Sequence, residues 1–173
     1  MPEITFDPAA HAYTVDGRPV PSVTQCLDWL VDWSVVPQAL LEYKSALGTA
    51  VHQMVHLACR DELDESDLDP ALQPYLVQWR KFVAESGYTV LQSELRVCHP
   101  TGYAGTLDLV LGKVARTRLK RYVCDIKTAK AIPPTVGPQT AAYAEAYKSG
   151  GGSYDGRKAL RLWPDGYKLD DLN

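Results

Sequence analysis

Residues 105–129 organise the sequence, and they read GTLDLVLGK (105–113), VARTRLKR (114–121) and YVCDIKTA (122–129). Two runs rich in Val, Leu and Ile flank a basic connection that contains Gly112, a pattern that predicts two antiparallel strands joined by a loop. Each predicted strand carries an acid, Asp108 within the first run and Asp125 at the end of the second. Because a half-buried carboxylate costs free energy unless it is paired or bound to metal, the two acids indicate a site.

Asp125 is followed two residues later by Lys127. Successive strand side chains point to opposite faces, so these two residues share a face while Ile126 points away. A same-face ion pair is the ordinary explanation of Asp-x-Lys. The second acid one strand away favours another, in which Asp108 and Asp125 offer oxygens to one hard cation such as Mg²⁺, which prefers one or two carboxylates, waters and phosphate oxygens. The lysine then completes a site for phosphodiester cleavage.

The motif Gly105-Thr106-Leu107-Asp108 followed by Asp125-Ile126-Lys127 resembles the PD-(D/E)xK nuclease superfamily. More narrowly, it is similar to the RecB-type and phage exonuclease branch, whose pattern adds an upstream G-x-x-x-H and a downstream Q-x-x-x-Y. Both additions are present, as Gly48–His52 and Gln139–Tyr143. The resemblance spans residues 11 to 168 and implies an α/β fold with a restriction-endonuclease-like core, in which a central mixed β-sheet is flanked by helices.

The resemblance also implies roles for individual residues. Asp108, Asp125 and Lys127 are the expected catalytic residues. The expected ligands of one or two Mg²⁺ ions, for which Mn²⁺ would substitute, are His52, Glu94, Asp108, Asp125 and the carbonyl of Ile126. Gln139 and Tyr143 are expected to hold the substrate phosphate or to orient the lysine. From the residues alone, His52 would be a packed histidine, Glu94 a solvent-facing strand residue, and Gln139 and Tyr143 packing residues of an amphipathic helix.

The net charge of −3 hides a segregation of charge along the chain. Residues 61–69 hold six acids and no base, and this stretch is predicted to be a solvated linker. Residues 113–130 hold seven bases against one acid. We expect this basic patch to adjoin the proposed site and to bind the DNA backbone, for which only local positive charge is needed; a solvated hairpin tip is the alternative. The expected DNA-binding residues are Lys113, Arg116, Arg118, Lys120 and Arg121.

The chain is predicted to form one nuclease domain over residues 1–173. An N-terminal hairpin and helices occupy 1–87, the catalytic sheet and the Q-x-x-x-Y helix occupy 88–149, and a C-terminal hairpin occupies 157–170. Within these parts we expect two short strands in 3–20, a helix capped by Ser22, one kinked helix or two helices over 37–60, a helix over 70–85 and a strand over 88–99.

Composition predicts a soluble cytoplasmic protein. The chain is 46% hydrophobic and 23% charged, has no apolar run of 18 residues, and starts without a basic and apolar leader. The four cysteines lack C-x-x-C spacing, so no zinc site or disulfide framework is indicated. Some relatives carry an iron–sulfur cluster on cysteines near the C-terminus; with no cysteine after Cys124, we expect no cluster here. The sequence leaves the oligomeric state open.

The expected function is a metal-dependent DNA exonuclease, acting in phage or bacterial recombination, repair or DNA processing. The resemblance also allows a recombination or single-strand-annealing partner protein, and no membrane is expected as a partner. Three alternatives stay open: a structure-specific or restriction-like endonuclease, a catalytically silent DNA-binding module, and a ribonuclease. A silent module would be expected to have lost Asp108, Asp125 or Lys127, and all three are present.

Overall fold

The structure is a computed structural model that describes residues 2–172, apart from the side chain of Trp33. The strands are β1 Ile4–Asp7, β2 Ala12–Val15, β3 Arg18–Val20, β4 Thr89–His99, β5 Tyr103–Ala115, β6 Arg118–Lys127, β7 Gly156–Trp163 and β8 Gly166–Asp171. The α-helices are α1 Val23–Leu27, α2 Gln38–Cys59, α3 Gln73–Glu85 and α4 Val136–Ser149. The chain is thus α/β, as the sequence predicted.

A mixed five-stranded sheet forms the centre of the fold, with strand order β4-β5-β6-β7-β8. β4, β5 and β6 pair antiparallel, as do β7 and β8. β6 and β7 are parallel, with Asp125 opposite Ala159. Parallel neighbours need a crossover connection, and α4 supplies it. The expectation of a central mixed sheet flanked by helices is confirmed.

Helices cover both faces of this sheet and create two apolar cores. On one face, α2 and α3 bury Met54, Trp79 and Phe82 against strand residues such as Leu109. On the other face, α1 and α4 bury Val23 and Ala144 against the sheet. Both layers are needed because central strands such as β6 are buried on both faces, in β6 from Val123 to Ile126. Residues of β5 and β6 therefore lie between two helix layers.

The N-terminal segment forms a separate antiparallel sheet of three strands, β1-β2-β3, where two had been expected. The predicted turn at Asp16-Gly17 is present between β2 and β3, with φ of 50° and 75°. Two consecutive positive φ values fit the tight hairpin turn that matches strand twist. The chain then reaches the main sheet, where the Ala104 N–H donates to the Pro21 carbonyl.

The helices agree with their expected positions, with shifted boundaries. Ser22 caps α1 through a capping box with Gln25, as the cap prediction required, but α1 ends at Leu27. α2 runs through Gly48 as one helix from Gln38 to Cys59. α3 begins at Gln73 instead of Pro70.

The basic stretch is not a loop, which corrects the sequence prediction. β5 continues through Gly112 to Ala115, β6 starts at Arg118, and only two residues connect them. The polar sequence predicted a loop because strand residues beyond the helix layers do not need apolar side chains. Val114 and Arg118 lie in this uncovered part and are exposed. The result is a short two-stranded arm, residues 113–121, because β4 pairs with β5 as far as Gly112 and β7 starts opposite Tyr122.

Candidate metal centre

The candidate centre lies where the pairing of β5 with β6 stops. The ladder ends at Leu109 opposite Cys124, although the same register would place Ile126 opposite Leu107. Side chains form hydrogen bonds with the Ile126 backbone groups that have no partner in this ladder. The Ile126 N–H donates to Asp108 Oδ2 at 2.6 Å, and His52 Nε2 lies 3.1 Å from the Ile126 carbonyl oxygen. Asp108 and Ile126 are thus brought together, as expected.

His52 reaches the sheet from the second half of α2. Its Nδ1 lies 3.1 Å from Asp108 Oδ1, while its Nε2 faces the Ile126 carbonyl. Burial alone would lower the pKa of His52, but the Asp108 carboxylate outweighs burial and, with Asp125, raises that pKa to about 9. A doubly protonated ring donates to both acceptors. The predicted approach of His52 to the acids is therefore present.

Glu94 lies on β4 directly across from Asp108, because its neighbours Ser93 and Leu95 pair with Leu109 and Leu107. Its φ is 51°, a conformation that glutamate seldom adopts in a strand. Ligand atoms of His52, Glu94 and Asp108 all lie within 4.8 Å of one another. These three residues form a group that could hold a metal ion.

Asp125 and Lys127 lie beside this group and form the ion pair that alternation predicts. Lys127 Nζ is 2.7 Å from Asp125 Oδ2. Asp125 is only 1% exposed, and its Oδ2 receives no well-aligned hydrogen bond from the described residues, so the close ammonium is its main compensation. Asp125 is not one of the three residues whose ligand atoms converge. Its role as a direct ligand stays a prediction.

Ionising all the carboxyl groups of the centre at once is unfavourable. Burial raises the pKa of Glu94 to about 7, and the neighbouring Asp108 adds to the rise. Burial also raises the pKa of Asp125 to about 6; Lys127 opposes the rise and Asp108 increases it. For Asp108, burial is outweighed by His52, and its pKa falls below its ordinary value. Carboxylates with raised pKa values, buried near one another, favour a cation between them.

This set of donors could hold a metal ion. Two carboxylates and one imidazole converge, the Ile126 carbonyl oxygen lies 3.1 Å from the imidazole Nε2, and a further carboxylate oxygen of Asp125 is buried without a well-aligned hydrogen bond from the described residues. Oxygen-rich sets of this kind suit Mg²⁺ or Mn²⁺ better than metals that prefer thiolate ligands. The four cysteines are free thiols outside the convergent group.

Gln139 and Tyr143 lie one turn apart on α4, where both side chains are buried. Gln139 Nε2 donates to the Tyr143 hydroxyl at 3.5 Å. Burial raises the pKa of Tyr143, and Asp108 and Asp125 raise it further, which places this phenol near the acids. The ring packs on Gly105, where an added Cβ would lie 2.5 Å from Tyr143 Cε1. Gly105 of the motif thus makes room for the tyrosine.

The basic tip of the arm does not adjoin the centre, contrary to expectation. Arg116 lies eight residues beyond Asp108 on the arm, which corresponds to about 26 Å of strand. Lys113 donates to the Ser86 carbonyl at 3.2 Å and lies over the Tyr88 ring. Arg118 pairs with Asp155. The expectation failed because a predicted loop could fold back on the site, whereas a continuous strand cannot.

Sequence reasoning missed two pairs of polar side chains near the centre. The Tyr13 hydroxyl lies 2.9 Å from Thr106 Oγ1, which fixes the small sheet beside the start of β5. His56 Nδ1 lies 2.8 Å from Ser93 Oγ, next to Glu94. The four-residue spacing of His52 and His56 was the available signal for the second pair, since it puts both rings on one face of α2.

Fold and centre together define an α/β protein with a mixed five-stranded sheet and a His-Glu-Asp group that could hold a metal ion. The chain matches no protein-family model and no curated protein sequence. Within residues 2–172, no helix has the length and apolar character to cross a membrane.

Proposed function

We propose that this protein is a metal-dependent phosphodiester hydrolase, and specifically a DNA exonuclease with a restriction-endonuclease-like core. The convergence of His52, Glu94 and Asp108 beside the ion pair of buried Asp125 with half-buried Lys127 carries the proposal. A cluster of acids alone is common on protein surfaces. Acids next to an imidazole, a half-buried ammonium and a backbone carbonyl, at the point where two strands separate, match the needs of phosphoryl chemistry more specifically.

The proposed ligands of Mg²⁺ are Asp108, Glu94, His52 and the Ile126 carbonyl, with Asp125 able to supply a further oxygen. A bound divalent ion supplies an activated water and neutralises charge on the phosphate. To ligate, His52 must lose a proton and become a neutral imidazole. Its hydrogen bond to the Ile126 carbonyl must also give way, since that carbonyl is itself a proposed ligand.

Lys127 is proposed to act through its charge. Burial would lower its pKa, but Asp125 and Asp108 outweigh burial and hold the pKa above its ordinary value. An ammonium cannot accept a proton, so Lys127 is better suited to orient the attacking water and offset phosphate charge than to serve as a general base. Gln139 and Tyr143 then position the lysine or the scissile phosphate from α4.

The arm formed by β5 and β6 is proposed to contact DNA at a distance from the reaction. Its tip at Arg116 lies about 26 Å of strand beyond Asp108, the length of about eight base pairs of B-form duplex. Among the basic side chains of the arm, Arg118 forms an ion pair and Lys113 is held against Ser86 and Tyr88, whereas Arg116, Lys120 and Arg121 make no ion pair with the described residues. They would meet the backbone of a duplex whose end lies at the centre.

A digestion assay tests this function. A linear duplex, the same DNA denatured, and a covalently closed circle are incubated with Mg²⁺, Mn²⁺ or EDTA, and wild-type protein is compared with Asp125→Asn. Shortening of linear DNA to nucleotides, with the circle intact and with loss in EDTA or in the variant, supports the exonuclease. Cleavage of the circle would indicate an endonuclease of the same chemistry. No hydrolysis of DNA would refute the proposal, and an RNA substrate in parallel tests the ribonuclease alternative.

A further inference from the structure

A large cleft follows the free edge of β4, away from the metal centre. Its volume is 1060 Å³, and β4, the small N-terminal sheet and the end of α4 line it. β4 is an outer strand of the main sheet. One end of the cleft begins at Gln92 and Leu95, on either side of Glu94, and the other reaches His99 and Tyr103. Glu94, a proposed metal ligand, thus lies on β4 between two residues that line the cleft.

Two arginines give this cleft positive charge. Arg96 lies on β4 two residues after Glu94, and Arg18 lies on β3 of the small sheet; both line the cleft and both are exposed. Among residues 2–172, no carboxylate forms an ion pair with either guanidinium. Asp16, also in the lining, accepts a hydrogen bond from the Glu3 backbone. Unneutralised guanidinium groups in a cleft favour a phosphate-bearing ligand.

An aromatic platform occupies the far end of the cleft. The rings of His99 and Tyr103 are stacked, with centroids 5.1 Å apart and an interplanar angle of 14°. The Tyr103 hydroxyl donates to the Ala142 carbonyl at 3.0 Å, which holds this ring in place against α4. The His99 ring is half-buried and lines the cleft. A fixed planar ring in a cleft that also carries arginines is the arrangement on which single-stranded bases stack.

The geometry points to a binding groove for single-stranded nucleic acid, in which Arg18 and Arg96 contact phosphates and a base stacks on His99. This inference rests on the proposed function and gives it a path for one strand beyond the centre. A peptide strand added to β4 fits less well. The Ala104 N–H points to Pro21, so the backbone groups of Cys98, its partner on β4, point to the free edge. The Cys98 carbonyl there already accepts from Ser149 Oγ at 3.1 Å.

The affinity of fluorescent dT12, measured by anisotropy in EDTA, tests the groove without requiring hydrolysis. Arg18→Ala/Arg96→Ala should weaken binding by at least tenfold at low salt and reduce the salt dependence, log Kd against log salt, by about 1.4, the value for two lost single-strand phosphate contacts. His99→Ala should weaken binding by roughly 5- to 100-fold. Arg80→Ala/Lys81→Ala removes two charges from exposed residues of α3 and should change the affinity less than twofold.

Cross-linking locates the strand independently. Irradiated dT12 containing 5-iodouracil should form adducts on His99 or Tyr103, identified by mass spectrometry. An unchanged affinity in Arg18→Ala/Arg96→Ala, or adducts confined to other elements, would overturn the groove. Groove binding without hydrolysis of any substrate would refute the proposed nuclease and leave the groove standing. Hydrolysis of DNA, with unchanged dT12 binding in the Arg18→Ala/Arg96→Ala and His99→Ala variants, would support the proposed nuclease and refute the groove.

Discussion

Glu94→Gln should stabilise the metal-free protein at pH 8 while removing one of the proposed metal ligands. Burial and the neighbouring Asp108 raise the pKa of Glu94 from an ordinary 4.5 to about 7. At 1.36 kcal/mol for each tenfold change in proton affinity, keeping the charged form above pH 7 costs about 3 kcal/mol. Because the side chain keeps partial access to water, we expect about 1–2 kcal/mol of this in measured stability.

The pH dependence has a defined direction. Since the folded protein holds the Glu94 proton more tightly than the unfolded chain does, stability is greatest below pH 4.5 as far as this residue is concerned, and it falls as pH rises through 7. His52, whose pKa of about 9 lies above the ordinary 6.5, adds a second loss between those two values. Glu94→Gln should remove the loss of stability that Glu94 causes and should keep part of the loss that His52 causes.

Urea unfolding in EDTA at pH 5 and pH 8 measures these effects. Wild-type protein should lose stability between the two pH values, and Glu94→Gln should lose about 1–2 kcal/mol less, equivalent to about 2–8 °C in Tm for a chain of this size. Added Mg²⁺ should stabilise the wild type at pH 8 and have little effect on the variant. Glu42→Gln, an exposed carboxylate of α2, is the matched control and should follow the wild type. A variant less stable than wild type at pH 8 would refute the reasoning.

Three further changes test other parts of the site. Lys127→Met should abolish cleavage and keep Mg²⁺-dependent DNA binding, measured by anisotropy, because the ammonium acts on the water and phosphate; unchanged turnover would contradict that role. Gly105→Ala should lower stability by about 1–3 kcal/mol, because its Cβ would overlap the Tyr143 ring, whereas Gly137→Ala on α4, with open space around it, should be neutral or stabilising in thermal unfolding. Mg²⁺ binding at pH 7 should release protons from Glu94 and His52, so calorimetric heats should differ between phosphate and Tris buffers; equal heats would exclude proton release.

Sequence alternation was sufficient to predict the Asp125–Lys127 pair and the strands that carry it, because a period of two fixes which side chains share a face. The capping box at Ser22 was likewise predictable, since its geometry is contained within four residues. Glu94 was expected to share a metal with Asp108, and the structure has the two residues opposite each other on β4 and β5. These features depend on neighbours close in sequence or on one strand pairing.

Other features depend on long-range contacts that a single sequence does not specify. The length of the β5–β6 arm depends on where helix cover ends, and the apolar pattern stops at that point although the strands continue. The φ of 51° at Glu94 is set by the surrounding sheet, since glutamate has no preference for it. The contact of Tyr13 with Thr106 joins residues 93 positions apart. Such contacts were outside the reach of local patterns.

The centre exists because two central strands separate at a defined residue. A buried strand must satisfy its N–H and carbonyl groups. The β5–β6 pairing ends at Leu109, so the Ile126 backbone has no backbone partner on β5. Asp108 and His52 supply the missing acceptor and donor, so the residues that hold the strands apart are also proposed metal ligands. Replacing Asp108 by Ala should therefore cost stability as well as metal binding, since it leaves the buried Ile126 N–H unsatisfied, at about 1–3 kcal/mol. Asp108→Asn keeps an acceptor oxygen at that position, so unfolding curves in which Asn restores stability without restoring metal binding would separate the two roles; equal loss in both variants would show that the charge of Asp108, not its hydrogen bond, stabilises the separation.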